Sequence, residues 1–192
     1  MPRSKSYNES IVLEIAMHVF WNNGYEATSV RLLEKEMGIN QFSIYSSFEN
    51  KKSLFIRSIR NYRKYVEKHV FQDLLKENSG LADLETFLYN MAKSKITNKK
   101  KIGCLVVNTS AELGNKDIDI ARELNLYYDF VCEMLKKLLL NAIAKNEIPA
   151  VTNIEQQANF FLGVMQGISV ASKTMDQEKL TDFISIALSQ LK

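Results

Sequence analysis

The chain has 192 residues, of which 46% are hydrophobic and 24% are charged, and its formal net charge is +3. This composition is ordinary for a globular protein, and so small a positive charge does not by itself identify a nucleic-acid partner. Only 7 Gly and 2 Pro are present, which disfavours a many-stranded β architecture and favours long helices. The first residues are polar, unlike a secretory signal, and the longest apolar run, 160–171, is too short to span a bilayer. We therefore expect a cytoplasmic protein with no membrane role.

Three short helices are predicted at the start of the chain. Apolar residues from Glu9 to Phe20 recur three and four positions apart, which is the spacing of a helix with one buried face. Two shorter apolar segments follow, one ending at Gly38 and one beginning at Gln41. The residues expected to cap these helices are Gly24 (in the left-handed conformation) and Gly38 at C-termini, and Thr28 or Ser29 and Asn40 at N-termini.

Longer helices are predicted after Asn50. The first is expected to run without a break from Lys51 to about Glu77, before Asn78-Ser79-Gly80 stops it. The others are expected at about 81–95, 105–113, 117–146, 154–172 and 177–191. The predicted fold is therefore all-α, with about nine helices divided between an N-terminal three-helix domain, 1–50, and a larger helical domain, 51–192.

The segment from Thr28 to Phe55 has the pattern of a helix-turn-helix, in which Gly38-Ile39-Asn40 forms the turn. In that motif the second helix enters the major groove of DNA with its N-terminal residues facing the base edges. Lysines that open the following helix interact unfavourably with the helix dipole, and a bound phosphate would offset this. The predicted DNA contacts are Gln41 and Ser43 on bases, Phe42 on a thymine methyl, Tyr45 and Ser46 on phosphates, and Thr28, Ser29, Arg31, Lys51 and Lys52 around them.

The same segment resembles the DNA-binding domain of TetR-type bacterial regulators. The residues that carry the resemblance are Phe20, Gly24-Tyr25, Thr28-Ser29-Val30, Gly38-Ile39, Ile44-Tyr45, Phe48 and Lys51 followed by Leu54-Phe55. Beyond them the similarity rests on length, helix plan and the stretch 103–108. The chain departs from the family pattern at Glu34 and Met37, where small residues are usual, at the bulky Phe42, and at Ser46-Ser47.

The resemblance implies a ligand-responsive transcription factor, in the usual case a repressor that releases a palindromic DNA operator when a small molecule binds. It also implies an effector pocket among the middle helices, with the long helix after Asn50 linking the pocket to the DNA-binding domain. Aromatic, methionine and polar side chains suit such a pocket, although they suit a plain helical core equally well. The predicted lining residues are Tyr62, Tyr65, Phe87, Met91, Cys104, Asn108, Tyr127, Val131, Phe161 and Met165. No cofactor is expected.

The two cysteines, Cys104 and Cys132, lie too far apart in sequence to form a metal-binding or redox motif. Cys104 follows Lys99-Lys100-Lys101 and is expected near a helix N-terminus, where cations and the helix dipole favour the reactive thiolate. A sensor of electrophiles or oxidants is therefore one hypothesis for Cys104, and a small core residue is the other. Cys132 lies inside a long predicted helix, where a core position is expected.

The last two predicted helices are apolar on more than one face, which indicates a partner. Gly163 and Gly167 lie four residues apart and would let another helix approach closely. We predict a two-fold homodimer built as a four-helix bundle, whose symmetry suits a palindromic operator. The predicted interface residues are Phe160, Gly163, Val164, Gly167, Phe183, Ile184, Ala187 and Leu188.

Two other classes of function compete with this hypothesis. An enzyme is disfavoured, because His18 and His69 have no base or metal partner at a diagnostic spacing, and no phosphate-binding loop or nucleophile motif is present. No catalytic or metal-binding residue is therefore predicted. A helical adaptor that binds protein rather than DNA stays open, although it has no need of the lysines at 51 and 52.

Overall fold

The computed structural model describes residues 7–93 and 102–191, and within these ranges the chain forms nine α-helices and no strand. The helices are α1 Glu9–Asn23, α2 Val30–Met37, α3 Gln41–Phe48, α4 Lys51–His69, α5 Leu81–Ala92, α6 Leu105–Glu112, α7 Ile118–Ala144, α8 Ile154–Ala171 and α9 Gln177–Ser189. None of these helices is both long and apolar enough to cross a membrane. The all-α prediction is confirmed.

The caps of α2 and α3 lie where the sequence places them. Ser29 begins α2, and its hydroxyl accepts a hydrogen bond from the amide of Leu32 at 3.1 Å. Asn40 begins α3 in the same way, with its side chain accepting from the amide of Ser43 at 2.8 Å. Gly38 ends α2 in the left-handed conformation that favours glycine, with φ +67°. These caps fix the turn between the two helices.

In the segment before α2, one expectation is wrong and one of the two N-cap candidates is excluded. Gly24 has a positive φ of +81°, but its ψ of 175° is not that of the left-handed helical cap. Thr28 is not the N-cap of α2; it is fully buried and its hydroxyl donates to the carbonyl of Gly24 at 2.6 Å. Thr28 therefore stabilises the turn between α1 and α2 from inside.

Helix α1 packs along α4 through aromatic rings. The ring centroid of Phe20 lies 4.8 Å from that of Phe55, and that of Trp21 lies 4.9 Å from that of Tyr62. Edge-to-face pairs at these distances stabilise the contact beyond the area that they bury. They place the three short helices, α1–α3, on one end of α4, and we call this unit the head.

The prediction of one continuous helix from Lys51 to Glu77 is wrong. Helix α4 ends at His69, where the amide of Phe71 turns back to the carbonyl of Val66 at 2.8 Å. Residues 70–78 form turns, and Phe71 and Leu74 are buried there. Tertiary burial of these two apolar side chains outweighs the helix propensity of the segment. The other predicted helix boundaries differ from the observed ones by at most three residues.

The larger domain is built around α7, which packs along α8 and also contacts α4, α5 and α6. Helices α5, α8 and α9 close the other side of its core. The short helix α6 lies between α4, α7 and α8 and follows the cysteine at 104. It is therefore the element that reaches from the interior of this domain towards the head.

We expect Phe20→Ala to lower the free energy of unfolding by about 3–5 kcal/mol, because a fully buried ring is replaced by a cavity. The matched change Phe42→Ala removes a ring that is 83% exposed, and it should alter stability by no more than about 0.5 kcal/mol. Urea denaturation followed by circular dichroism measures both. Equal losses for the two variants would contradict the packing described for the head.

Candidate DNA interface and effector cavity

The surface of α3 carries an exposed aromatic ring among polar side chains. Gln41, Phe42 and Ser46 are exposed, and Ser43 and Tyr45 are half-buried. Phe42 is 83% exposed, so its ring is not buried against the rest of the chain. Large apolar side chains exposed among polar ones mark contact surfaces, and this arrangement suits base edges and a thymine methyl in a major groove.

Glu34 of α2 stabilises the N-terminus of α3. Its carboxylate accepts a hydrogen bond from the backbone amide of Gln41 at 2.6 Å, while the Asn40 side chain takes the amide of Ser43. Carboxylates are favourable at a helix N-terminus, where free amides carry partial positive charge. A charged residue at position 34, which departs from the family pattern, thus caps α3 from α2.

Two residues outside the helix-turn-helix, Tyr7 before α1 and Arg57 in α4, form hydrogen bonds to α3. The Tyr7 hydroxyl donates to the carbonyl of Ser43 at 3.0 Å and lies 2.7 Å from the hydroxyl of Ser47. Arg57 of α4 donates to the carbonyl of Ser47 at 3.1 Å and pairs with Glu9 at 2.6 Å. Neither residue was predicted, because neither lies within the helix-turn-helix pattern.

Three of the residues predicted to contact DNA, Thr28, Lys51 and Lys52, have partners within the chain. Thr28 is fully buried, so the expectation that it contacts DNA is wrong. The Lys52 ammonium lies 3.1 Å from Asp117 and 3.0 Å from Asp119, so its charge is already paired and it is not free for a phosphate. These contacts raise its pKa, the hydrogen bond to Asp119 most of all. The Lys51 ammonium lies over the ring of Tyr25, 4.4 Å from its centroid.

A cavity of about 80 Å³ lies in the larger domain between α4, α5, α6, α7 and α8. Seven predicted ligand-binding residues line it: Tyr62, Phe87, Met91, Cys104, Tyr127, Val131 and Met165. Its other walls come from residues that the sequence analysis did not select, namely Val66, Val70, Phe71, Val107, Tyr128, Leu162 and Gln166. Most of these are ordinary apolar core types, and nothing in their spacing distinguishes them from the rest of the core.

Three predicted lining residues lie elsewhere. Tyr65 packs against His18, Trp21 and His69 on the α1 side of α4. Asn108 bonds to the carbonyl of Ile102 and accepts from Lys173, outside the cavity. Phe161 is fully buried but does not border the cavity. These three expectations are wrong, because each side chain leaves its helix on a face other than the one that borders the cavity.

The polar part of the cavity wall is a thiol beside phenols. Cys104 is the N-cap residue of α6, and its sulfur lies 3.9 Å from the Tyr127 hydroxyl. Burial raises the pKa of the Tyr62 and Tyr127 phenols well above the usual value, so both are neutral at neutral pH. The Tyr128 hydroxyl is held 2.7 Å from that of Ser110. Lys99–Lys101, which were expected to activate Cys104, lie outside the described residues.

Both ends of α6 contact the head. At its start, the Trp21 indole donates to the carbonyl of Gly103 at 2.8 Å. At its end, the Glu112 carboxylate accepts from the amides of Tyr25 and Glu26 at 3.0 and 2.7 Å. Gly24 makes room for this contact, since a Cβ there would lie 2.8 Å from a Glu112 oxygen. Helix α6 therefore connects the cavity wall at Cys104 to the turn that precedes α2.

A second connection joins the N-terminal half of α4 to α7. The Arg60 guanidinium of α4 donates two hydrogen bonds to the Glu123 carboxylate of α7, at 3.0 and 2.5 Å. Glu123 is only 6% exposed, and Arg60 is the ion-pair partner of its carboxylate. The hydrogen bond to Glu123 is the main reason that the Arg60 pKa is raised. This ion pair thus joins α4 to α7.

An apolar stripe runs along α8 and α9 on the surface of the protomer. Phe160, Val170, Phe183 and Ile186 are 43–66% exposed, and Gly163 and Gly167 lie between them. The Gly163 Cα faces open space, whereas the Phe183 ring lies against Gly167. The expectation that Val164, Ile184, Ala187 and Leu188 form a dimer surface is wrong, because each is buried in the protomer's own core.

The metal-ligating and thiol side chains of the described residues do not cluster. No group of three or more histidine, cysteine or acidic side chains comes together there to hold a metal ion. The two cysteines are free thiols in separate places, and Cys132 lies 3.6 Å from the side-chain oxygen of Asn159. Burial raises the pKa of Cys132. It is half-buried rather than the core residue that was expected.

Known proteins resemble the chain in both of its parts. Residues 12–57 match the family described as bacterial regulatory proteins, tetR family, and residues 80–188 match the tetracyclin repressor-like C-terminal domain. The HTH-type transcriptional repressor ComR of Escherichia coli (strain K12) is 30% identical over 175 residues, covering 89% of this chain and 82% of ComR. An uncharacterized HTH-type regulator of Bacillus subtilis (strain 168), YezE, is 24% identical over the whole of both chains. A cysteine mutant of the TetR family regulator CifR, complexed with 26-bp operator DNA, has the same fold, with a TM-score of 0.85 at 24% identity over 99% of this chain and 100% of that one.

Proposed function

The chain belongs to the TetR family of bacterial regulatory proteins, and from this premise we propose that it is a repressor controlled by a small reactive molecule. As a member of this family it is a DNA-binding transcriptional regulator and not an enzyme. The finer proposal is that a homodimer binds a palindromic operator and releases it when an effector occupies the cavity at Cys104. An adaptor that binds only protein is not supported, since the head is of the DNA-binding type.

The observation that carries the proposal is the course of α6. Its N-cap residue, Cys104, lies in the cavity wall, and its last residue, Glu112, accepts two amide hydrogen bonds from the head. Helix α6 has 8 residues and contains no proline or glycine at which it would kink. An effector that moves Cys104 therefore moves Glu112, and with it the turn before α2. This supplies the two sites and the mechanical connection that an allosteric coupling requires.

The size of the cavity bears on the kind of effector. At about 80 Å³ it is smaller than the cavity of about 150 Å³ that holds a benzene ring in a protein core. A non-covalent ligand that fits so small a space gains little contact energy, because affinity scales with the number of ligand atoms. A covalent bond removes this limit. We therefore propose a small electrophile, such as an α,β-unsaturated carbonyl compound, as the effector.

The chemistry is a conjugate addition. The Cys104 thiol loses its proton to water, its sulfur attacks the β-carbon to form a carbon–sulfur bond, and the electron pair of the double bond moves to the carbonyl as an enolate. A proton then returns to the α-carbon, so that the thioether product is neutral. The Tyr127 hydroxyl, 3.9 Å from the sulfur and neutral because burial raises its pKa, can donate a hydrogen bond to the developing oxyanion.

The apolar stripe on α8 and α9 is the proposed dimer interface. Phe160, Gly163, Gly167 and Val170 recur along one face of α8, and Phe183 and Ile186 of α9 continue it. A second copy that covers the stripe by two-fold symmetry would place two heads side by side. The two copies of α3 would then meet successive major grooves, about 34–36 Å apart. From the proposed binding to DNA we infer a cytoplasmic site of action.

The DNA part of the proposal is tested by selection of duplexes from a random library by the wild-type protein. We expect an inverted repeat whose half-sites are separated by about 34–36 Å or a multiple of it. Gln41→Ala should weaken binding to the selected duplex by about 1–3 kcal/mol, because a hydrogen bond to a base edge is lost. The matched variant Gln177→Ala, at the exposed start of α9, should bind as the wild type does. A selection that enriches no sequence would contradict operator binding.

The effector part is tested with the two cysteines. A small enal such as acrolein should reduce the affinity of the wild-type protein for the selected duplex by a factor of about 5–150, the usual range of allosteric coupling. Cys104→Ser should bind DNA normally and not respond, since the α6 N-cap amide contact to Ser169 is made by the backbone. The control Cys132→Ser should respond fully. Loss of the response in Cys132→Ser with retention in Cys104→Ser would overturn the assignment.

A further inference from the structure

A groove separate from the Cys104 cavity lies on the surface between α4 and α7. Its volume is about 350 Å³, which is within the range of about 300–1,000 Å³ that is usual for small-molecule sites. None of its lining residues belongs to the proposed DNA contacts or to the apolar stripe on α8 and α9. The groove is therefore a space that the function proposed above does not use.

Part of the groove wall is apolar. Ile59 of α4 and Tyr127 of α7 are buried, whereas Leu126 beside them is 47% exposed. A ligand that covers such a leucine gains free energy in proportion to the apolar area removed from water. The lining residues of α4 run from Ile59 to Glu67, about 12 Å along the helix axis. An extended chain of about eight carbons has a comparable length.

The rest of the wall is charged, and its cations all come from α4. The Arg60 guanidinium is already paired with Glu123. Arg63 and Lys64, in contrast, have no ion-pair partner among the residues that the structure describes. With Glu67, the described wall carries three cationic and two acidic side chains, and hence a net charge of +1. This balance suits a ligand with a single negative charge.

The Arg63 guanidinium is held in place without the use of its N–H donors. Its central carbon lies 4.5 Å from the centroid of the Phe130 ring, a cation–π contact that engages the face of the guanidinium. Within residues 7–93 and 102–191, no acceptor takes its N–H groups. A guanidinium presents these donors in a planar fork that matches the two oxygens of a carboxylate. We propose that the groove binds a medium-chain carboxylate, with its head group on Arg63 and Lys64 and its chain along Leu126.

This site depends neither on DNA nor on Cys104, so isothermal titration calorimetry of the full chain without DNA tests it separately from the proposed function. Sodium octanoate should bind about fivefold more tightly than hexanoate, because two further methylenes are partly buried. Octanol and octylammonium have the same chain without the negative charge, and they should bind at least about tenfold more weakly. Equal binding of octanoate and octanol would overturn the proposal, and so would the absence of octanoate binding at about 10 mM.

Charge variants test the assigned head-group contacts. Arg63→Gln/Lys64→Gln should weaken octanoate binding by about tenfold, since two exposed charge contacts are lost together. The matched variant Lys68→Gln/Lys137→Gln removes two exposed lysines that do not line the groove, and it should bind octanoate as the wild type does. Equal affinities of the two variants would contradict a head group on α4.

A variant that fills the groove locates the chain of the ligand. Leu126→Trp should abolish octanoate binding, because the larger side chain occupies the space. The control Leu140→Trp changes a leucine of α7 that is 56% exposed and lies outside the groove, and it should leave binding unchanged. Circular dichroism checks that both variants are folded. Octanoate binding retained in a folded Leu126→Trp protein would place the ligand elsewhere, including the Cys104 cavity, and would overturn the assignment.

Discussion

The hydrogen bonds from the Tyr25 and Glu26 amides to the Glu112 carboxylate are the contact on which the arrangement of the two domains depends. Hydrogen bonds to an ionised acceptor are about twice as strong as neutral ones. The amides belong to the turn between α1 and α2, which Thr28 supports from inside, and Gly24 leaves the space that the carboxylate fills. The last residue of α6 thus contacts the helix-turn-helix through this turn.

Three further contacts lead to helices that border the cavity, one from the head itself and two from α4, on which the head packs. The Trp21 indole is bonded to the residue before Cys104, while Lys52 and Arg60 pair with acidic residues in the first two turns of α7. Helices α4 and α7 also contribute Tyr62 and Tyr127 to the cavity wall. A change in the cavity wall would therefore alter several of these contacts together. This suits a two-state change of domain orientation better than a local adjustment.

The sequence predicted what local rules decide. Gly38 and Asn40 bracket the turn of the helix-turn-helix because capping chemistry is local, and the helical spacing of apolar residues located every helix. Predictions from the sequence failed where tertiary contacts decide the structure. The end of α4 at His69 follows from burial of Phe71 and Leu74, and Lys52, expected at a phosphate, is paired with residues of a distant helix. On α9, periodicity found two apolar faces but could not assign Ile184 to the core and Ile186 to the surface. The contacts of Glu34 and Glu112 were missed because their partners are backbone amides, which leave no pattern in the sequence, and those of Tyr7 because its partners on α3 are distant in sequence.

The coupling between the cavity and the head is tested most directly by DNA affinity before and after acrolein treatment in Glu112→Ala. The control is Glu85→Ala, which removes an exposed carboxylate from α5. Helix α6 loses its contact with the head amides in the first variant, so modification of Cys104 should weaken DNA binding by less than threefold there, against about 5–150-fold in the wild type and in the control. An undiminished response in a folded, DNA-binding Glu112→Ala protein would contradict transmission through α6.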